Sequence, residues 1–207
     1  NKYINEESDY KPYMNYGMSK MKMESVAFDF IKKYDSNITI IRAPWFYGPH
    51  QPLRQKRFYE MIRKGTVPIV GNGENLRSMV NTKNLCEGIL LSTKTPKAKG
   101  KVYWIADSNP YSMNYIISTI RDLMIKELGI KCNLGIRRLP NAVSSIAQFL
   151  DGSIQKLGFY NQELHVLSEM NKNIACSIDL ARKELSYNPR ISLKYGMLEA
   201  LKEVYGG

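Results

Sequence analysis

The 207-residue chain is poor in metal-binding and redox side chains, with three cysteines and two histidines. No C-x-x-C spacing joins the cysteines, so neither a zinc site nor a thioredoxin-like pair has support. Cys86, Cys132 and Cys176 lie far apart and read as reduced thiols of a cytoplasmic protein, with a disulfide between two of them as the alternative. There is no run of about 18 apolar residues, which argues against a membrane-spanning helix. Asn1 to Tyr10 is polar and acidic and has no signal-peptide pattern. The opening residue is not Met, and the expectation is a natural start further upstream. Internal repeats, low-complexity segments and a linker that would cleanly split two domains are all missing.

What is present is the composition of a globular protein, 43% hydrophobic and 24% charged. A chain of this length can bury a sizeable core without disulfide or metal staples. Negative charge is scarce: 30 Lys and Arg stand against 19 Asp and Glu, a formal net charge of +11. Such an excess invites a nucleic-acid reading, but the distribution speaks against it. The basic residues come in ones and twos, as in Lys32-Lys33, Arg63-Lys64, Arg137-Arg138 and Arg182-Lys183. The densest stretch, Lys94 to Lys101, reads as a solvated loop. A pocket for a small anion such as a phosphate group is the better reading, and no nucleic-acid partner is expected.

Hydrophobic periodicity orders the chain. Residues 1–12 read as a loop and 15–34 as a helix, with Val26, Ala27, Phe30, Ile31 and Tyr34 on one face that by default packs on the sheet. Ile38 to Ile41 is a buried-type strand, and Ala43 to Pro49 breaks it into a loop. A helix over 54–64 ends at Gly65. Val67 to Val70 is a strand, Gly71-Asn72-Gly73 a turn, and Leu76 to Val80 one extended segment. Thr82 or Asn84 caps a helix to about Ser92. Lys101 to Ala106 is a strand, Ser112 to Leu128 a helix and Asn133 to Leu139 an exposed strand. Pro140 starts a helix over 141–157. Ala175 to Ile178 is a brief strand, Asp179 caps a helix to Leu185, and Ser192 caps the last, Leu193 to Tyr205. Strands alternating with helices predict an α/β fold with a parallel sheet.

Tyr16 and Lys20 are four residues apart in the first helix, which makes their side chains neighbours. An ammonium beside a phenol favours the phenolate, so the pair can move a proton to or from an alcohol or carbonyl. By itself the pair is also what a surface tyrosine packed on a lysine stem looks like. The context is more specific. Tyr16-Gly-Met-Ser-Lys20 is followed by Glu24, then by Arg42-Ala-Pro-Trp-Phe-Tyr-Gly-Pro49. Next come Gly71-Asn-Gly73 with Arg77, and then Val80 and Asn84. Asp179-Leu-Ala-Arg-Lys-Glu-Leu-Ser-Tyr-Asn-Pro189 stands near the end.

In this order the motifs resemble those of the extended short-chain dehydrogenase/reductases, the NAD-dependent epimerase/dehydratase family, over nearly all of the chain. The resemblance implies a Rossmann-like parallel sheet with a small α+β substrate-binding subdomain, the sheet part at roughly 13–66 and 82–128 and the substrate part at roughly 67–81 and 129–207. It implies NAD or NADP as cofactor. Tyr16 would be the catalytic acid/base, and Lys20 would hold the nicotinamide ribose and tune Tyr16. Pro44, Trp45 and Phe46 would lie beside the nicotinamide. Tyr47, Arg57 and Arg77 would face the substrate, and the Arg77 guanidinium fork suits a nucleotide-sugar diphosphate. His50, Arg54 and Arg57 could line the pocket but would more simply belong to a solvated helix face, and His165, with no partner identified, would be structural. In relatives the helix bearing the tyrosine often forms a homodimer.

The departures narrow the reading. Trp45 stands where nucleotide-sugar enzymes often have Asn, and Asn84 where they have an acid. Asn171-Lys172-Asn173 lacks the arginine of many sugar epimerases. An aromatic Trp45 would suit an apolar substrate, as in 3β-hydroxysteroid dehydrogenase-like reductases. The family's G-x-x-G-x-x-G turn, which cradles the cofactor pyrophosphate, is absent from these residues. The chain therefore reads as the C-terminal portion of an enzyme, inactive by itself. Alternatives are a non-catalytic nucleotide-binding relative and, on charge alone, a nucleic-acid module.

Overall fold

The computed structural model describes residues 3–12 and 14–206. Asn1, Lys2, Tyr13 and Gly207, which include the expected start of the sheet part, lie outside the described residues. The chain opens with α1 (Met14–Tyr34), β1 (Ile40–Arg42), β2 (Trp45–Tyr47) and α2 (Leu53–Arg63). There follow β3 (Pro68–Val70), β4 (Leu76–Arg77), β5 (Met79–Asn81) and α3 (Thr82–Lys94). After β6 (Val102–Trp104), β7 (Tyr111–Ser112) and α4 (Met113–Lys126) come β8 (Arg137–Leu139) and α5 (Asn141–Lys156). Helices α6 (Gln162–Glu169), α7 (Asp179–Leu185) and α8 (Leu193–Tyr205) close the chain.

The strands pair two by two. β1 with β6, β2 with β5 and β3 with β8 are parallel, and β4 with β7 is antiparallel. The fold is α/β with parallel pairing, as the alternation of elements predicts. β3–β8 joins two stretches expected in the substrate part, whereas β2–β5 and β4–β7 cross from one expected part to the other.

β5 divides the core. All three of its residues are buried, and successive side chains of a strand point to opposite faces. Met79 joins a cluster with Tyr47, Tyr59 and Ile62, the α4 residues Ile116, Ile117 and Ile120, and Met197 and Leu201 of α8. Val80 joins the other cluster, with Tyr103, Ile105, Cys176, Ala181, Leu185 and Tyr187. The helical spacing of Ile116, Ile117, Ile120, Leu123 and Met124 gives α4 its buried face. The Ser112 hydroxyl caps that helix by accepting from the Tyr115 N–H at 3.2 Å.

Several expectations are corrected. Residues 45–47, read as loop, form β2, because Trp45, Phe46 and Tyr47 pair in parallel with Met79, Val80 and Asn81. Leu76 to Val80 is two strands, separated where the Ser78 N–H turns to the Ile174 carbonyl at 2.8 Å. The cap of α3 is Asn81, which accepts from the Lys83 N–H at 2.9 Å. Asp179 is the first residue of α7, with its N–H on the Ser177 hydroxyl, and Ser192 stands at the N-cap of α8 without a side-chain bond. Ala175 to Ile178 is not a strand: the neighbourhood makes isolated bridges, Ile4 to Cys176 and Arg77 to Ile174. α6 has no counterpart in the sequence reading.

The apolar stripe of α1 is corrected too. Val26, Phe30 and Tyr34 are 66%, 50% and 55% exposed, while the buried residue of that helix is Glu24. The inward face is set by a charge pairing that hydrophobicity could not reveal. The three cysteines are free thiols: Cys86 exposed, Cys132 half-buried and Cys176 buried.

Candidate functional site

α1 presents Tyr16 and Lys20 on an open surface. Tyr16 is 64% exposed, and the Lys20 ammonium lies 5.6 Å from the centre of its ring. The i,i+4 spacing brings the two together, as the sequence predicts. The Ser19 hydroxyl turns back along the helix and donates to the Tyr16 carbonyl at 2.8 Å. The last turn carries Lys32 and Lys33, which complement the helix dipole, and Asp35 ends the helix at a left-handed φ of 49°.

Glu24 ties this helix to β1. Arg42 grips its carboxylate with two bonds, Nε at 3.0 Å and Nη2 at 2.7 Å, and the Tyr10 hydroxyl donates to it at 2.6 Å. Two parallel guanidinium bonds fix direction as well as distance. Burial pushes the Glu24 carboxyl up, but the bonds from Arg42 and Tyr10 outweigh it and leave the group below its ordinary range. The Arg42 guanidinium also lies over the rings of Tyr10 and Trp104 at 5.1 and 5.5 Å.

Beyond Arg42 the chain passes half-buried Pro44 into β2. Trp45 does not stand free in a pocket: its indole N–H donates to Gln55 Oε1 at 3.1 Å, and its ring packs edge-on against Phe58 at 5.4 Å. Phe46 is 49% exposed. Tyr47 is wholly buried, and its hydroxyl donates to Asp107 at 2.7 Å. Asp107, just past β6, also accepts from Tyr111, Asn84 and the Asn81 N–H at 3.1–3.2 Å. Burial pushes the Asp107 carboxyl up despite these bonds and pushes the Tyr47 phenol up strongly. Sequence reasoning missed this cluster, because Tyr47, Asn81 and Asn84 come from 23 to 60 residues away and reach Asp107 only through tertiary packing.

The remaining candidates are spread out. Arg57 is exposed on α2, as is Arg54. His50 is exposed and faces Glu203 at 3.5 Å. Arg77 is half-buried and donates to the Glu169 carbonyl at the end of α6 at 2.6 Å; burial lowers its guanidinium, and Glu169 partly offsets this. Among the described residues no hydrogen bond or ion pair joins Tyr16 or Lys20 to Pro44, Trp45, Phe46 or Arg77. The expectation that His165 has no identifiable partner is overturned: its Nδ1 lies 2.8 Å from Asp151, which is wholly buried.

Two surface cavities, of about 460 and 340 Å³, lie elsewhere. The larger runs along α3 past Thr82, Cys86, Leu90 and Lys94, and the smaller is lined by Tyr3, Glu6, Asp179 and Lys183. Neither touches the tyrosine–lysine pair. No helix among the described residues is long and apolar enough to cross a membrane.

The sequence profile of the NAD dependent epimerase/dehydratase family matches residues 2–106, about half of the chain. The uncharacterized protein y4nL of Sinorhizobium fredii is 46% identical over 193 residues, covering 93% of this chain and 54% of that protein. UDP-glucose 4-epimerase of Vibrio cholerae is 27% identical over 135 residues, covering 65% of this chain and 39% of the enzyme. The crystal structure of UDP-glucuronic acid 4-epimerase from Bacillus cereus in complex with NAD superposes with a TM-score of 0.71 at 20% identity, over 98% of this chain and 56% of that one. The fold is therefore shared with Rossmann-like enzymes, and the chain spans about half the length of the relatives it matches.

Proposed function

The chain belongs to the NAD dependent epimerase/dehydratase family, and from that premise we propose that it is the tyrosine-bearing portion of an NAD(P)-dependent enzyme acting on a hydroxyl-bearing carbon of a nucleotide-sugar. The observation that carries the proposal is the Tyr16–Lys20 pair, phenol and ammonium side by side on an open helix face. That donor set fits the nicotinamide-ribose end of a dinucleotide. The pyrophosphate end is assigned to none of these residues, since the G-x-x-G-x-x-G turn does not occur among them.

When bound, the nicotinamide supplies the hydride acceptor and donor. Tyr16 takes the hydroxyl proton as the carbon is oxidised and returns it on reduction, which makes it the general acid/base. Lys20 holds ribose hydroxyls and stabilises charge on the Tyr16 oxygen. Pro44 and exposed Phe46 would border a bound nicotinamide. Trp45, its N–H already committed to Gln55, shapes that border from behind. Arg57 and Arg77 supply guanidinium groups to a diphosphate, and buried Tyr47 supports the wall through Asp107. The division into a sheet part and a substrate part belongs to the same proposal. So does a homodimer built on the exposed apolar side chains of α1, which Phe30→Glu would dissociate in sedimentation.

The test uses the native protein with UDP-glucose or UDP-glucuronic acid and NAD. Tyr16→Phe should lower turnover about 100-fold or more while NAD still binds. Unchanged turnover removes Tyr16 from the role. An apolar-substrate reductase is the second reading, favoured by the 22% identity, over 94% of this chain, to 2-alkyl-3-oxoalkanoate reductase of Shewanella oneidensis. Turnover of a 3-oxoalkanoate with no response to either nucleotide-sugar would select it.

A further inference from the structure

Tyr16 and Lys20 occupy a stretch of α1 that is tied down on both sides. Toward the C-terminus the anchor is Glu24 on Arg42. Toward the N-terminus the N–H of Asn15, the residue before Tyr16, donates to Gln155 Oε1 of α5 at 3.1 Å. A helix leaves its first-turn N–H groups without partners of its own, so Gln155 caps α1 from another helix. That bond orients the Gln155 amide. Its Nε2 then donates to Asp151 Oδ1, one turn earlier on α5, at 2.9 Å. The other Asp151 oxygen meets His165 Nδ1 of α6 at 2.8 Å.

The chain of bonds is buried where it matters: Asp151 is 0% and Gln155 7% exposed. It lies where α1 meets α5, the helix it packs against most closely. A side-chain carbon on Gly152, next to Asp151, would lie 3.4 Å from Met14 Cε, so the α5 backbone itself comes up against the start of α1. A wholly buried carboxylate is costly unless paired, and apolar residues of similar size often hold two helices together as well or better. What the polar chain supplies, and apolar packing would not, is a directed bond to the backbone beside Tyr16.

We propose that Gln155, oriented by Asp151 and His165, is a positioning residue for Tyr16: the relay from α6 through α5 sets the first turn of α1 and with it the direction of the phenol. This rests on Tyr16 as the acid/base of the proposed reaction, and Gln155 touches neither substrate nor cofactor.

The experiment places 3-fluorotyrosine at position 16 of the native protein and reads its fluorine resonance, alongside kcat and KM with UDP-glucose and NAD. Gln155→Ala should move the resonance and lower kcat about tenfold while KM for NAD changes less than about twofold, as expected for a displaced catalytic group. Gln155→Glu should do the same, because it sets a carboxylate against Asp151. Adding Asp151→Asn to Gln155→Glu rebuilds the chain with the amide and the acid exchanged. The amide at 151 then donates to the carboxylate at 155, which still accepts from the Asn15 N–H. That double variant should bring both readouts back to within about threefold of the parent. An unmoved resonance in Gln155→Ala, or a double variant that restores nothing, overturns the proposal. If the parent turns over neither nucleotide-sugar, the nucleotide-sugar reading fails, and the resonance alone still decides whether the relay sets Tyr16.

Discussion

Glu24 and Asp107 are both buried carboxylates that accept from tyrosine hydroxyls, and they hold their regions in opposite ways. Glu24 has an arginine opposite it and lies at the edge, where α1 meets β1. Asp107 has only neutral donors, Tyr47, Tyr111, Asn84 and a backbone N–H, and lies between two cores. A formal counter-charge leaves Glu24 below its ordinary range, whereas neutral donors do not overcome burial at Asp107. The difference separates an edge, where the helix bearing exposed Tyr16 is tied to β1, from an interior acid that links β2 and β5 to the segment after β6.

Removing the interior acid should cost most. Asp107→Ala strands the Tyr47 and Tyr111 hydroxyls and the Asn84 amide, and about 4 kcal/mol should vanish from the global unfolding free energy, read by chemical denaturation. A loss under about 1 kcal/mol would mean that the cluster does not hold the core.

Glu24→Ala should cost about 3 kcal/mol, because it leaves the half-buried Arg42 without its carboxylate. Here the loss should be local. Hydrogen exchange should speed up along α1 while α4 keeps its protection, and equal acceleration in both helices would erase the contrast between edge and core.

Acid should drive the two groups in opposite directions. Glu24 is lowered on folding, so its contribution is fully present above its unfolded value and is lost as pH falls through its folded value. Asp107 is raised on folding, so its charged form opposes folding near neutrality, and stability is recovered as pH falls through its folded value. From about pH 7 to about pH 4, the stability gap between the parent and Glu24→Gln should shrink. The gap between the parent and Asp107→Asn should widen in favour of the parent. Denaturant midpoints at the two pH values measure both slopes, and slopes of the same sign would refute the assignment.

The smallest effect belongs to the border between the regions. Trp45→Phe keeps the ring against Phe58 but leaves Gln55 Oε1 without its indole donor, a loss of about 1 kcal/mol by thermal or chemical melts. No change would place the Trp45 contribution in packing alone.

Much of the scaffold was legible. The isoleucine spacing and Ser112 announced α4, Pro140 announced α5, and the i,i+4 spacing placed Lys20 beside Tyr16. β2 was not legible, because Trp45-Phe46-Tyr47 is bounded by Pro44 and Gly48-Pro49 and becomes a strand only by pairing with Met79 to Asn81. The inward face of α1 was missed because Glu24, not Phe30, is what Arg42 pulls toward the sheet. The partner of His165 was out of reach, because it lies on α5, 14 residues before His165, and meets it only where α6 packs on α5.

The sequence by itself determined the family, the alternation of helix and strand, and the adjacency of Tyr16 and Lys20, since all three depend on residue type and short spacing. The tertiary structure alone decided what flanks that pair along α1, an arginine-held acid on one side and a glutamine-capped helix start on the other, and, elsewhere, that Trp45 turns to Gln55. Each of these is a contact between residues far apart in the chain, or a choice of which side of a helix faces in. Local spacing does not encode such contacts, because they are settled by where buried polar groups can find partners.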